Sequence, residues 1–210
     1  MTPFSPEERA VIAGAITRAE HKTSGEIVVV VAGASDGYRS FALLWAALIA
    51  LAVPLPFIFE TKWPVEYIYL LQLAVFVVFV LPFQWEPLRF ALVPRAAKRA
   101  RAHQKAVEQF LVQNLHTTKG RTGVLIYVSF AERFAEVIAD DGIYRKVSPK
   151  VWEEVIAELT HHLGQGTRTE GLMKAIETCG KVLAEHFPPG HTDRDELPNH
   201  LIVLDGYGRP

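Results

Sequence analysis

Two long stretches without a charged side chain dominate the middle of the chain. The first covers residues 41–59 and the second residues 67–85. As α-helices of about 19 residues, each would be about 28 Å long, which matches the hydrocarbon thickness of a bilayer. Residues 60–66 between them are too few for anything but the tip of a helical hairpin. The pattern therefore predicts two transmembrane helices, paired as a hairpin within residues 39–94.

A buried hairpin in a soluble core is the alternative interpretation of the same pattern. Helices that are apolar on every side would then need cover on every side from the rest of this 210-residue chain. Insertion into a membrane satisfies both helices without such cover. We therefore expect a protein that crosses the bilayer twice.

Charge is unevenly distributed around this apolar region. The formal net charge is −1, yet residues 95–121 contain seven basic side chains and one acidic side chain. Cations beside a span favour the cytoplasmic side, so both termini are expected in the cytoplasm and only the tip should cross. The cations that follow the second span are also expected to contact anionic lipid headgroups. These residues are Arg95, Lys98, Arg99, Arg101 and Lys105.

Outside the hairpin, amphipathic segments alternate with β-branched runs, which is typical of an α/β domain. Strands are expected at 26–32 and 122–129, parallel because a helix joins them, and at 133–140, antiparallel to its predecessor because the turn is so short. The sequence thus predicts one small α/β sandwich with a mixed sheet, interrupted by the transmembrane hairpin. It comprises residues 1–38 and 95–190, followed by an acidic tail at 191–210. Helices are expected at 4–20, 95–115, 148–163 and 169–187, and a short strand at 201–204.

Capping patterns and apolar spacing define the helices further. Ser5, Pro6 and Glu8 form the pattern of a capping box. Thr169 is expected to cap the last helix. The inward faces are expected to carry Val107, Phe110, Leu111 and Leu115 in the helix at 95–115, and Leu172, Ile176, Cys179 and Leu183 in the last helix.

The composition excludes several classes of protein. A near-neutral net charge argues against a nucleic-acid partner. The single cysteine, Cys179, excludes a disulfide framework and a cysteine-rich metal site within one chain. His161 and His162 are adjacent, so they cannot form the i, i+4 pair that a helical metal site uses. Ser24 lies between a helix and a strand, where turn chemistry explains it better than a role as nucleophile. No phosphate-binding glycine loop and no G-x-S-x-G pattern occurs.

Several short motifs, taken in order, resemble the TPM domain family, and more narrowly its bacterial membrane-inserted members. The resemblance implies a Rossmann-like α/β/α sandwich at the inner membrane. It also implies the calcium binding of some members, and the acid phosphatase activity and photosystem repair associated with a plant thylakoid member. The motifs are Thr23-Ser24-Gly25-Glu26, Thr122-Gly123-Val124-Leu125-Ile126, Glu136-Val137-Ile138 with Gly142-Ile143, and Asp195-Glu196-Leu197-Pro198-Asn199.

Three carboxylates are expected at one edge of the sheet. Asp140 and Asp141 close the third strand, and Glu26 opens the first. Calcium takes several oxygen ligands, so this trio is a candidate metal site. The alternative is an Asp-Gly turn, which uses these residues for backbone reasons alone. Asp36 and Glu132 fall at the opposite edge and are not expected to join the trio.

The chain departs from the family pattern at two acidic positions. Thr2-Pro3-Phe4-Ser5 precedes the first helix and Arg121-Thr122 precedes the second strand, where the family has acidic residues. These differences favour a membrane-anchored accessory or interaction domain without catalysis, acting with an unidentified protein partner. One alternative is a phosphatase-like hydrolase that depends on calcium or magnesium. Another is a component of an oligomeric membrane assembly, built through the hairpin.

Overall fold

The computed structural model describes residues 4–60, 62–189 and 201–204. In these ranges, a single 3-10 turn lies at Leu115–Thr117. The strands are β1 (Glu26–Ala32), β2 (Gly123–Ser129), β3 (Phe134–Ala139) and β4 (Leu201–Leu204). The helices are α1 (Pro6–Glu20), α2 (Arg39–Ala52), α3 (Pro54–Glu60), α4 (Val65–Phe83), α5 (Glu86–Ala91), α6 (Arg95–Val112), α7 (Asp141–Tyr144), α8 (Pro149–Gln165) and α9 (Arg168–His186).

The four strands form one mixed sheet in the order β3-β2-β1-β4. β1 is parallel to both β2 and β4, whereas β2 and β3 are antiparallel. The turn at residues 130–133 is too short for a crossover, so β3 has to fold back along β2. The predicted parallel pair, the predicted hairpin and the short strand at 201–204 are therefore confirmed, and so is the mixed α/β class.

Different helices cover the two faces of the sheet. Val29 and its alternate neighbours in β1 pack with residues of α1, α8 and α9, including Ile176. Val30 and its alternate neighbours pack on the other face with Phe110 of α6 and with Leu115. Every residue of β1 and β2 is buried. This burial on both faces explains why the two strands are continuous apolar runs.

The capping box of α1 is confirmed. The Ser5 hydroxyl accepts a hydrogen bond from the Glu8 backbone N–H at 3.2 Å, and the Glu8 carboxylate accepts one from the Ser5 N–H at 2.7 Å. These reciprocal bonds satisfy two of the backbone donors that the start of a helix leaves without partners.

The expected cap of α9 is wrong by two residues. α8 ends at Gln165, and its C-cap is Gly166, whose φ of 82° is left-handed. Thr167 is then the N-cap of α9. The Thr169 hydroxyl instead donates a hydrogen bond to Glu8 at 2.8 Å and so links α9 to α1. The apolar face of α9 is confirmed, since Leu172, Ile176, Cys179 and Leu183 are all buried.

The inward face of α6 differs from the expected one. Val107 and Leu111 are 38% and 52% exposed, although Phe110 and Leu115 are buried as expected. Small side chains allow a helix to approach a sheet closely, and here Ala106 lies in the apolar cluster on this face of the sheet. The buried residues of α6 are Ala102, Ala106, Gln109 and Phe110.

The chain divides into two compact units. The first contains the described parts of residues 1–36 and 99–210, with the whole sheet and the helices that cover it. The second is Gly37–Lys98. The second unit is thus an insertion that follows β1 and ends within the first turn of α6.

The second unit is built around two apolar helices. α2 packs on α4, and Ala42 and Ala46 share an apolar cluster with Phe83 of α4. Ala50, four residues further on, is also buried. The first expected span is not one regular helix, because α2 ends at Ala52 and α3 begins at Pro54. Proline has no N–H to bond the preceding turn, and its ring clashes with the carbonyl four residues earlier.

Two segments are long and apolar enough to cross a membrane. They are Arg39–Phe59, with a mean hydropathy of 2.4, and Val65–Phe83, with a mean hydropathy of 2.0. Their buried shares are 22% and 6%. Length and composition alone do not separate a membrane span from the core helix of a soluble protein. Few residues of either window are buried inside the described structure.

Candidate functional site

Two carboxylates lie at the amino edge of the parallel strands, where β1 and β2 begin. Glu26 is paired in register with Gly123, and the Asp140 N–H donates to the Gly123 carbonyl at 2.9 Å. Glu26 and Asp140 are buried, with exposed fractions of 8% and 6%. Gly123 between them leaves room for Leu115, whose carbonyl oxygen would be 2.6 Å from an added Cβ.

Asp140 has structural partners at this edge. Its carboxylate accepts a hydrogen bond from the Asp141 N–H at 2.7 Å and caps α7. The same oxygen, Oδ1, is 3.5 Å from Nη1 of Arg121, while Oδ2 is buried without a hydrogen-bond partner among the described residues. The Asp141 side chain is exposed in the first turn of α7. Asp140 and Asp141 therefore have the backbone role between a strand and a helix that is the alternative to a metal site.

The candidate metal trio is only partly assembled. The structure brings Glu26 and Asp140 to one edge, as expected, but Asp141 is exposed and Asp140 is already ion-paired. Within the described ranges, no group of three His, Cys, Asp or Glu side chains is placed to hold a metal ion. Calcium needs several oxygen ligands. The described residues do not provide that ligand set.

A buried polar network lies at the opposite, carboxyl edge of the sheet. The Ser35 hydroxyl is 2.9 Å from the Tyr127 hydroxyl and donates to the Ser129 hydroxyl at 3.0 Å. The Ser129 hydroxyl donates to the Glu132 carboxylate, which also accepts the Ser35 N–H at 3.0 Å. The network joins the loop after β1 to the turn after β2, at the edge where α/β folds commonly bind ligands.

Burial controls the ionisation of Tyr127 in this network. Desolvation, with a smaller contribution from the Glu132 charge, raises the pKa of Tyr127 to about 12, although its bond to Ser35 acts in the opposite direction. The phenol therefore stays protonated at neutral pH and remains available as a hydrogen-bond donor. The sequence places Glu132 at this edge, but the contribution of Ser35 and Tyr127 depends on sheet register, which no local pattern specifies.

A cavity of about 490 Å³ opens at this edge, on the face covered by α8 and α9. Arg133 enters it from the turn between β2 and β3, and Arg168 enters it from the start of α9. The Arg168 guanidinium lies 4.7 Å from the centre of the Phe130 ring, a cation–π distance. Phe130 and Leu163 supply an apolar part of the lining, which has no acidic residue among the described residues. The cavity is therefore electropositive.

The Glu8 carboxylate interacts electrostatically with the Arg168 guanidinium. Hydrogen bonds from the Ser5 backbone and the Thr169 hydroxyl lower the pKa of Glu8, and the Arg168 charge adds a smaller contribution in the same direction. The Glu8 carboxylate is thus held by α1 and α9, and it is not part of the cavity lining.

The basic segment at the start of α6 is partly neutralised. Nε of Arg101 is 3.3 Å from Oδ2 of Asp36, and Lys105 is 2.8 Å from Glu108. Three other expected cations, Arg95, Lys98 and Arg99, form no ion pair with the described residues. Asp36 is the last residue of the first unit before the insertion, and Arg101 lies shortly after the chain re-enters that unit at Arg99.

The contacts of Cys179 and Ser24, two other residues considered in the sequence, are structural. Cys179 is fully buried, and desolvation raises the pKa of its thiol to about 12, which makes it unreactive. Ser24 donates from its backbone N–H to the Phe187 carbonyl at 3.0 Å, as expected for a turn residue. His103, which the sequence did not single out, bonds to Glu136 with both carboxylate oxygens at 2.9 Å.

Comparison with known families identifies the class of this fold. Residues 87–182 match the family model of the TPM domain. The resemblance seen in the sequence is therefore confirmed over this range. The match begins just after α4, so it includes Asp140 and Arg168 and leaves out Glu26.

A solved structure is similar over nearly the whole chain. It is the NMR structure of the BA42 protein from the psychrophilic bacterium Bizionia argentinensis, with a TM-score of 0.61 and 24% sequence identity. The alignment covers 95% of this chain and 94% of that chain. At this identity the likeness establishes the fold alone. A search of curated proteins finds no match.

Proposed function

We propose that the chain is a TPM domain anchored in a bacterial inner membrane by its inserted hairpin, and that it acts as a non-catalytic accessory or interaction domain. In this proposal α2–α3 and α4 span the bilayer, and both termini lie in the cytoplasm. The observation that carries the proposal is the outward-facing apolar surface of the two helices. Leu44 is 53% exposed, Val78 is 62% exposed and Leu81 is 67% exposed.

This surface has a large unfavourable free energy in water. Each fully exposed aliphatic side chain forgoes about 1.5–3 kcal/mol relative to burial. The described hairpin exposes many such side chains on both helices. Lipid provides the missing apolar environment, and the α2–α4 contact through alanines is the kind of close helix packing found in membranes. We therefore infer that lipid is the solvent of the second unit.

The sidedness follows from charge. The hairpin is followed by Arg95, Lys98 and Arg99, while its tip at 60–66 contains one lysine and two glutamates. Cations near a span favour the cytoplasm. The sheet, its cavity and the basic segment are then on the cytoplasmic side.

Membrane fractionation tests the anchoring. The full chain is expected in the membrane pellet after extraction with alkaline carbonate, which removes peripheral proteins. Leu44→Arg together with Val78→Arg should shift it to the soluble or aggregated fraction, because an arginine inside a span is unfavourable, by up to about 2.5–3.5 kcal/mol at the centre. Val107→Arg, on the exposed face of α6, is the matched control and should leave the protein in the pellet. Extraction of the unmodified chain by carbonate would refute the anchoring.

Cysteine labelling tests the sidedness. In a Cys179→Ala background, Lys62→Cys at the tip should react with a membrane-impermeant maleimide from outside the inner membrane. Lys150→Cys at the start of α8 should react only after the cells are lysed. Both positions are exposed, so accessibility within the fold does not separate them. The reverse pattern would refute the proposed orientation.

The non-catalytic part of the proposal is supported by the structural partners of Asp140, which binds Arg121 and caps α7. Detergent-purified protein should not hydrolyse a generic phosphomonoester when calcium or magnesium is added. Turnover that Asp140→Asn and Asp141→Asn each abolish would contradict the proposal and favour the phosphatase-like alternative.

A further inference from the structure

The cavity at the carboxyl edge has the charge of a site for an anion. Arg133 and Arg168 enter it from different elements, and neither forms an ion pair with any described residue. Arg168 is also the first residue of the 19-residue helix α9, whose N-terminal end carries a partial positive charge. Guanidinium groups bind phosphate oxygens in a fork geometry. The cavity therefore offers two guanidinium groups for one phosphate.

The size and lining of the cavity suggest more than an inorganic ion. Its volume of about 490 Å³ is within the range of about 300–1,000 Å³ that is usual for sites of organic ligands. Phe130 and Leu163 provide carbon surface beside the guanidinium groups. A phosphate that carries a short carbon backbone, such as a glycerophosphate group, matches this combination of charge and apolar surface.

The cavity lies at the edge of the sheet from which the inserted unit departs. Ala32 and Ser129 pair at the ends of β1 and β2, and the N–H of Phe130 donates to the carbonyl of Ala32 at 3.1 Å. The chain leaves the first unit after Asp36 and returns at Arg99, and the Arg101–Asp36 ion pair holds these two points together. Residues 33–38 are all that separate the end of β1 at this edge from α2, the first of the helices proposed above to span the bilayer.

From these observations we propose that Arg133 and Arg168 bind the phosphate of an anionic phospholipid headgroup, such as phosphatidylglycerol. The inference rests on the proposed function, because it requires the domain to be tethered to a bilayer. This contact is separate from the general attraction between lipid headgroups and the basic start of α6. Arg133 lies in the turn between β2 and β3, and Arg168 lies at the start of α9. The domain would then be held to the membrane surface at two places, the tether and the cavity.

Site-resolved photocrosslinking tests this proposal. The full chain is reconstituted in nanodiscs that contain phosphatidylglycerol or phosphatidylcholine with a photoactivatable group in the headgroup region. Adducts are mapped by mass spectrometry to the peptides that contain Phe130 and Leu163. The variant is Arg133→Ala with Arg168→Ala. The matched control is Arg145→Ala with Lys150→Ala, which removes two exposed cations at the opposite edge of the sheet.

We expect phosphatidylglycerol to give adducts in these peptides, and phosphatidylcholine to give few. The double variant should decrease the phosphatidylglycerol adducts about tenfold or more, because two cations near a lipid surface are removed. The control should match the unmodified chain. Equal adducts from both lipids, or adducts that survive in the double variant, would overturn the proposal. Adducts that survive inorganic phosphate at millimolar concentration would support the lipid over free phosphate as the ligand.

Carbonate extraction of the same samples separates this proposal from the anchoring itself. A double variant that loses the adducts and stays in the membrane pellet supports headgroup binding by an anchored domain. A chain that stays in the pellet and never gives adducts refutes the headgroup site alone. A chain that carbonate extracts refutes the anchoring and, with it, the lipid contact.

Discussion

Gly180 lies where α9 packs on α1, and an added methyl group there is expected to destabilise the first unit. A Cβ at this position would be 2.7 Å from the Cβ of Ala19 and 3.3 Å from its Cα. Carbon atoms in contact are about 3.5–4.0 Å apart, so Gly180→Ala forces the two helices apart by about 1 Å. Overpacking of this kind costs about 1–3 kcal/mol. Alanine recovers about 1 kcal/mol of helix propensity over glycine, which leaves a net loss of up to about 2 kcal/mol in the free energy of unfolding.

Gly164 near the end of α8 provides the matched control. An added Cβ there has no neighbour within 4 Å, so Gly164→Ala should be neutral or stabilise by up to about 1 kcal/mol. Urea unfolding of the full chain in a mild detergent measures both variants, and hydrogen exchange in α1 and α9 localises the effect. If Gly180→Ala is as stable as the unmodified chain while Gly164→Ala behaves as expected, the close approach of α1 and α9 is refuted.

Two further predictions concern the buried network at the carboxyl edge. Because Tyr127 has its pKa raised to about 12 from 10, the unfolded chain ionises first, and up to about 3 kcal/mol of stability should be lost between pH 10 and pH 12. Tyr127→Phe should abolish this loss. Both proteins carry Cys179→Ala, since that thiol titrates in an overlapping range. If the two proteins lose the same stability at alkaline pH, the loss does not come from Tyr127. Glu132→Ala leaves the Ser35 N–H and the Ser129 hydroxyl without their acceptor, so urea unfolding should show a loss of about 2–4 kcal/mol. Glu132→Gln keeps one acceptor oxygen and should lose less; an unchanged midpoint for Glu132→Ala would refute the role of the carboxylate.

The elements of the fold were predictable where a local pattern determines them. β1 and β2 are apolar runs because both faces are buried, and the antiparallel turn to β3 follows from its length alone. The inward face of α6 was not predictable in the same way. Val107 and Leu111 have helical spacing, but they are partly exposed, whereas Ala106 joins Phe110 in the apolar cluster on this face of the sheet.

The candidate sites depend more strongly on long-range contacts. Sequence order places Glu26 and Asp140 at one edge, yet it does not reveal that Arg121 pairs with Asp140. Arg133 and Arg168 are 35 positions apart and share a cavity only because α9 begins beside the end of β2. No spacing rule joins a turn residue to the first residue of a distant helix. Sites of this kind become visible only in the folded chain.

The position of the insertion explains how the domain tolerates it. A parallel β–α–β connection needs a long crossover, and the chain places the hairpin at the start of that crossover, before α6. Both apolar clusters of the sheet lie within the first unit, and none of their residues comes from Gly37–Lys98. The Arg101–Asp36 ion pair shows that the chain returns close to where it left. The first unit should therefore fold without the second.

Replacing residues 37–98 with about eight glycine and serine residues tests this reasoning. A flexible linker of that length spans about 16 Å on average, which is enough to join Asp36 to Arg99 across the ion pair. The shortened chain should be soluble in buffer without detergent and should unfold cooperatively. Trp152, which is buried, is then its only tryptophan and reports the transition by fluorescence. Aggregation, or a broad transition without a baseline, would mean that the hairpin completes the core of the domain. The exposed apolar surface of the hairpin would then no longer be evidence that the hairpin lies in lipid.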